Sequence, residues 1–144
     1  MKPIWFEPFT PQEAAGFETD TFARYIGVEF TEVGPDYLAG RMLLAPHMKQ
    51  PYGVLHGGAS VALAETLGSV AANFTVDRAR VRCVGQSITA NHLRPVPVDG
   101  GYVTAVARAT HLESQRQVWQ IELRRADGRI FCACTLTMAV IPKP

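Results

Sequence analysis

The chain has 144 residues, 47% hydrophobic and 19% charged, and its fourteen Lys and Arg against thirteen Asp and Glu leave a net charge of +1. These figures exclude intrinsic disorder, collagen-like repeats and coiled coils, and they provide no global field to draw in nucleic acid. The length implies one domain over residues 1–144 that buries about two-thirds of its unfolded surface. The charge content lies below the usual figure of about 25%, which points to a further buried face and hence to contact between subunits.

The N-terminus, Met-Lys-Pro-Ile-Trp-Phe-Glu, has no continuous apolar run, so no signal peptide is expected. Thr10-Pro11-Gln12-Glu13 has the form of a capping box with Pro at the first helical position. It predicts a short helix into Phe17 that ends before Tyr25, within a helical extension covering about residues 1–24. From Tyr25 the pattern turns strand-like, with Ile26, Val28 and Phe30 alternating against Gly27, Glu29 and Thr31. Gly34-Pro35-Asp36 breaks it, and Tyr37 to Leu44 forms the second arm of a hairpin.

After a loop containing Pro46 and Pro51 comes Gly57 to Val76, twenty residues with one ionisable group, Glu65. Its glycines, serines, threonines and asparagine make it too polar for a membrane span. A helix apolar nearly all round belongs in the middle of a protein. Past the Asp77–Arg80 turn, strands are predicted over Val81–Leu93, Tyr102–Leu112, Gln117–Arg124 and Ile130–Ile141, with Asp127-Gly128 as a hairpin signal. Three cysteines fit no disulfide framework. Cys132 and Cys134, on one face of a strand with no metal-spaced His or Cys beside them, read as small core residues in a reducing cytoplasm. The whole is an α+β plan: one long central helix, with an antiparallel sheet of about five to six strands wrapped around it, made of a hairpin followed by a four-stranded meander.

Burying the Glu65 carboxylate is costly and needs a reason. On a helix its face is shared by Gly58, Ala62, Ser69 and Ala72, all small. Such a strip suits a substrate or partner chain lying against the carboxylate; the alternative is an ion pair with a buried Arg such as Arg41 or Arg82. At the helix start, His56-Gly57-Gly58 leaves backbone N–H groups uncovered at the positive end of the helix dipole, a site able to receive an oxyanion. Gly-Gly alone would signify only a tight turn. Its combination with Gln50, whose amide can donate to a carbonyl, and with Glu65 two turns on favours chemistry. No G-x-S-x-G, GxGxxG, GxxxxGK[ST], CxxC or HExxH pattern is present, and His47, His56, His92 and His111 lack metal-ligand spacing, so no metal is expected.

The run Gln50-Pro51-Tyr52-Gly53-Val54-Leu55-His56-Gly57-Gly58-Ala59-Ser60, with Leu63-Ala64-Glu65 and Gly68-Ser69-Val70, resembles the signature of hotdog-fold acyl-CoA thioesterases. The resemblance is to the branch containing the Arthrobacter-type 4-hydroxybenzoyl-CoA and the 1,4-dihydroxy-2-naphthoyl-CoA thioesterases. It continues through Ala90-Asn91-His92-Leu93-Arg94 and Gln117-Val118-Trp119-Gln120-Ile121. It implies Glu65 as nucleophile or general base, Gln50 and the Gly57 amide as carbonyl-polarising groups, a supporting His56, and Ser69 as holder of the attacking water. Contacts to coenzyme A, which is part of the substrate and not a cofactor, fall by the same resemblance on Gly85, on His92, Leu93, Arg94 and Pro95, and on His111, Leu112, Glu113, Ser114, Gln115 and Arg116.

The resemblance further implies a homodimer joined sheet edge to sheet edge, with active sites shared between its chains, pairing into a homotetramer. The expected activity is hydrolysis of a small aromatic or medium-chain acyl-CoA. Two alternatives share the fold: an enoyl-thioester hydratase or dehydratase, whose Phe-Pro-Gly setting for the His is missing here, and a non-catalytic acyl-CoA-binding sensor, whose helix-turn-helix effector the roughly 24 residues before the first strand are not expected to hold. Neither a nucleic-acid partner nor a membrane is expected.

Overall fold

The computed structural model describes residues 1–144, and its six strands form one antiparallel sheet around the longest helix. The order along the chain is α1 (Pro11–Phe17), α2 (Phe22–Tyr25), β1 (Val28–Val33), β2 (Tyr37–Leu43), a 3-10 turn (Pro46–Met48), α3 (Gly57–Phe74), β3 (Val81–His92), β4 (Tyr102–Leu112), β5 (Arg116–Arg124) and β6 (Ile130–Pro142). The hotdog arrangement is thus present, with six strands in the order β1-β2-β4-β5-β6-β3.

The predicted capping box closes as expected: Glu13 N–H donates to the Thr10 hydroxyl at 3.2 Å, and Thr10 N–H to the Glu13 carboxylate at 2.7 Å. Two boundaries differ. A second short helix, α2, capped by Thr21, absorbs Phe22 to Tyr25, so the strand predicted from Tyr25 starts at Val28. The central helix ends at Phe74, before the predicted Val76, because Thr75 caps it by donating its hydroxyl to Ala72 O at 2.8 Å. The N-terminal arm packs on this end, with Phe9 stacked on Phe74 at 4.0 Å between ring centroids and Phe6 N–H bonded to Phe74 O at 2.9 Å.

The predicted four-stranded meander is reduced to three strands. β4, β5 and β6 pair in sequence, but β3 pairs with β6 at the far edge instead of with β4. The segment from Leu93 to Gly101 explains the difference: it is too long for a tight hairpin and carries Pro95 and Pro97, which cannot donate to a ladder. It runs across the start of α3, burying Val96 and accepting Leu55 N–H at Val96 O, 2.8 Å. β3 is therefore an edge strand twelve residues long, paired on one side only.

One side of α3 packs on the concave sheet, burying Leu63, Ala64, Leu67, Val70 and Ala71 against Leu38, Met42, Trp119, Ile121, Leu136 and Met138. Each large side chain so buried contributes roughly 1.5–3 kcal/mol. Helix and sheet touch closely because Gly68 has no side chain; a methyl there would collide with Leu136. The opposite stripe, Gly58, Val61, Ala62, Glu65, Thr66 and Ser69, stays half-buried or exposed in the single chain. Ala72, expected on the Glu65 face, is fully buried under β3 instead. No helix is long and apolar enough to cross a membrane.

Two buried amides pin α3 to the sheet. Asn73 donates to Ser69 O at 2.9 Å and to Cys83 O at 3.0 Å, and accepts Cys83 N–H at 2.9 Å, so β3 meets the helix through a side chain that imitates a neighbouring strand. Gln117 accepts the Trp119 indole N–H at 2.9 Å and donates to the Thr75 hydroxyl at 2.8 Å. Replacing Asn73 by Leu should lower stability by about 2–4 kcal/mol, since the Cys83 N–H and C=O would lie buried without partners. Urea unfolding of the variant measures it.

Candidate active site

The loop before α3 is shaped by its own backbone. Gln50 O accepts Gly53 N–H and Gln50 N–H bonds to Val54 O, both at 2.9 Å, closing a turn around Pro51 and Tyr52. Gly53 adopts φ +85, which only glycine takes without strain. Within this turn Tyr52 N–H donates to Oε1 of Gln50. That bond fixes the amide's orientation and leaves its NH₂ group free to donate outward. His56 N–H bonds to Met48 O at 2.8 Å, and the His56 ring caps α3, Nδ1 accepting Gly58 N–H at 2.8 Å. Its proton, when the ring is neutral, consequently sits on Nε2. Gly57 N–H, at the first helical position, has no carbonyl one turn back within the helix and donates to nothing in the chain.

A cleft of about 350 Å³ opens at this helix start, lined among others by Gln50, Gly57, Ser60, His92, Arg94 and Phe131. The imidazole of His92 lies directly on Gly57, so that a Cβ on Gly57 would stand 3.0 Å from its Cε1. Arg94 directs one guanidinium nitrogen to Ile130 O. Pro95 lines the cleft and its carbonyl accepts from Arg125 at 3.0 Å, while Leu93 is exposed.

Glu65 lies elsewhere. Eight residues along α3 separate it from Gly57, about 12 Å at 1.5 Å per residue. Its carboxylate rests on β3 at Gly85, where a methyl group would collide with Oε1 and where the β3–β6 register shifts. It joins none of the chain's ion pairs. Arg41, one of the partners considered from sequence, is paired with Glu29 at 2.6 Å, and Arg82 is exposed. One turn on, the Ser69 hydroxyl meets only Met138 Sδ at 3.7 Å, a weak acceptor. Beside the same stretch of β3, Glu113, Ser114, Gln115 and Arg116 of the β4–β5 hairpin line a cleft of about 280 Å³ with Gln86 and Ala139. His111 Nε2 stands 3.3 Å from the Glu113 carboxylate, and Leu112 is partly exposed.

The expected site residues thus fall into two groups within one chain. Gln50, Gly57, His92, Arg94 and Pro95 gather at the helix start, with His56 as the helix cap. Glu65, Ser69, Gly85 and the hairpin gather near the opposite part of β3. The seven residue steps along β3 from Gly85 to His92 span about 23 Å at roughly 3.3 Å each. Sequence reasoning missed Asn73, whose only signal was a lone amide in an apolar helix. It also missed the neighbour of Cys132: a His does lie beside that thiol, across the strand pair, with Sγ 3.7 Å from Nδ1 of His92. Register makes that contact, and spacing along the chain does not reveal it. All three cysteines are free and buried, and burial pushes the Cys83 thiol up to about 11.

A six-stranded antiparallel sheet around one helix is the hotdog fold, and here it carries an uncommitted N–H at the helix start and an unpaired carboxylate two turns on. The thioesterase superfamily model matches residues 52–132, and the chain belongs to that family. It is 37% identical over 138 residues to a 1,4-dihydroxy-2-naphthoyl-CoA hydrolase of Escherichia coli, covering 96% of this chain and 99% of the relative. It is 38% identical over 138 residues to the proofreading thioesterase EntH of Cronobacter turicensis, covering 96% and 98%. Among solved structures, a variant of thioesterase PA1618 from Pseudomonas aeruginosa superposes with a TM-score of 0.92 at 38% identity, covering 97% of this chain and 99% of that one.

Because Glu65 Oε1 fills the space above Gly85, Gly85→Ala should displace the carboxylate while leaving the fold intact. If the Glu65 carboxylate takes part in the reaction, a misplacement near 1 Å should lower kcat for thioester hydrolysis by about a hundredfold. Steady-state kinetics beside a far-ultraviolet dichroism spectrum tests this.

Proposed function

We propose that the protein hydrolyses a small aromatic or medium-chain acyl-CoA to the free acid and coenzyme A, at sites completed by two chains. The observation carrying this proposal is the separation of about 12 Å along α3 between the free Gly57 N–H and the Glu65 carboxylate. A nucleophile or base must lie within about 3–3.5 Å of its target, so a carbonyl held at Gly57 is out of reach of the same chain's Glu65. A second chain supplies it. The unpaired edge of β3, twelve residues long, is an aggregation hazard unless covered. A twofold axis crossing that edge between Gly85 and His92 lays one chain's Glu65, Ser69 and Gly85 against the other's Gln50, Gly57 and His92. The half-open small-residue stripe of α3 then faces its own copy, and two equivalent sites result. Dimers of this kind pair into a tetramer.

In each site the thioester oxygen accepts hydrogen bonds from Gly57 N–H and the Gln50 amide, which gain strength as the oxygen becomes negative. Glu65 then either attacks the carbonyl carbon to give a mixed anhydride, which water opens, or takes a proton from a water held by Ser69 that attacks directly. In both routes the carbon–sulfur bond breaks, and the thiolate leaves and collects a proton. In the direct route the new acid oxygen comes from water. In the anhydride route it comes from Glu65, whose carboxylate regains an oxygen from the water that opens the anhydride at the Glu65 carbonyl. Oxygen-18 entering the Glu65 carboxylate in a single turnover distinguishes the anhydride route. The pantetheine arm and nucleotide extend toward the β4–β5 hairpin. The aromatic substrate named for the E. coli relative supports a flat acyl group lying along Val61, Thr66 and Ser69. A cytoplasmic setting, where acyl-CoA occurs, accords with three unpaired cysteines.

Glu65→Gln keeps the shape of the side chain and removes its charge. Its turnover, followed by thiol release from a panel of acyl-CoA substrates, should fall by at least about a thousandfold, a loss of some 4 kcal/mol in transition-state stabilisation. A variant that retains most of its activity on the best substrate would contradict the assignment.

A further inference from the structure

The β3–β6 ladder sets Cys132 directly opposite His92, and directly opposed residues of antiparallel strands share a face. Cys132 is fully buried, with its Sγ 3.7 Å from Nδ1 of His92 and 3.7 Å from Sγ of Cys134, which is buried beside it. The imidazole meets the helix start through its other edge: a Cβ on Gly57 would lie 3.0 Å from Cε1 and 3.1 Å from Nε2, against 3.5 Å from Nδ1. The ring is therefore held between a thiol on the core side and the oxyanion-binding end of α3 on the cleft side. His92 has no other hydrogen-bond partner within the chain.

We propose that Cys132 is a positioning residue for the hydrolysis: its S–H donates to Nδ1 of His92, fixing the neutral imidazole with its proton on Nε2 and presenting that N–H to the acyl-binding cleft beside Gly57. The inference rests on the site described under Proposed function. The two imidazole nitrogens are chemically distinct, and the bond made by one determines what the other can do. With Nδ1 engaged by the thiol, Nε2–H is a donor at the place where the thioester oxygen and the departing sulfur lie. Cys134 completes the chain, its own S–H directed at Cys132 Sγ. Removing the thiol leaves Nδ1 facing an apolar strand and frees the ring to exchange tautomers.

The test combines kinetics with nitrogen-15 NMR of the full-length protein. Cys132→Ala should lower kcat for acyl-CoA hydrolysis about five- to tenfold, the worth of one hydrogen bond, with KM changed less than about twofold. Cys132→Ser, whose hydroxyl can donate to the same nitrogen, should recover most of that loss. In a His92→Ala background Cys132→Ala should cost less than about twofold further, because two residues acting through one contact are not additive. The NMR spectrum should show His92 protonated on Nε2 with an unprotonated, hydrogen-bonded Nδ1, and a mixture of tautomers in Cys132→Ala. Equal losses in both backgrounds, no loss in the wild-type background, or a His92 protonated on Nδ1 would overturn the proposal. Full activity of Glu65→Gln would overturn the site reading alone, since the tautomer of His92 is read without turnover.

Discussion

An α-helix rises 1.5 Å per residue, so the eight residues from Gly57 to Glu65 hold a free N–H and an unpaired carboxylate about 12 Å apart on one rigid rod. Neither group can approach the other, because the rod is pinned at both ends. At its start the His56 ring caps it and Leu55 is tied to Val96; at its end Thr75 closes it, with Asn73 and Gln117 bonding to the sheet. In the proposed dimer the open β3 edge and the half-open face of α3 take their meaning from that fixed distance: a second copy of the chain laid against them would bring the complementary group into range.

The buried polar groups act in the same direction. An amide in a core costs stability unless every one of its hydrogen-bonding groups finds a partner, and Asn73 meets that requirement through both the N–H and the C=O of Cys83. The bond fixes β3 against the helix two residues before Gly85, where the absence of a side chain admits the Glu65 carboxylate. Apolar packing alone would hold the helix on the sheet without specifying this register. Polar contacts here carry geometric precision from the core to the candidate site.

Much of this was legible in the sequence wherever the cause was local. The Thr10–Glu13 capping box, the Gly34-Pro35-Asp36 and Asp127-Gly128 turns and the long apolar helix all depend on residues a few positions apart, and all are present. The helix-start motif was legible for the same reason: Gln50, His56 and Gly57 are placed by one turn and one cap. What could not be read was non-local. The position of β3 beyond β6 depends on a proline-bearing crossover and on which edge remains open. The contact of Cys132 with His92 exists only once the strand register is set, and the division of the expected coenzyme A residues into two distant groups follows from that topology. The short helix α2 was obscured by Tyr25 and Ile26, whose apolar alternation continues into the following strand.

The most direct measurement is complementation between two inactive chains. Glu65→Ala and Gln50→Ala proteins, each assayed alone, are unfolded, mixed in equal amounts and refolded together, with exchange verified by differently tagged subunits. If each site takes Gln50 from one chain and Glu65 from the other, half the dimers are mixed and each holds one intact and one doubly defective site. Thioesterase activity then recovers to about a quarter of wild type by statistical assortment in a twofold dimer. Recovery no greater than the mean of the two parent activities, with exchange confirmed, would show that both residues act within a single chain and would contradict the account.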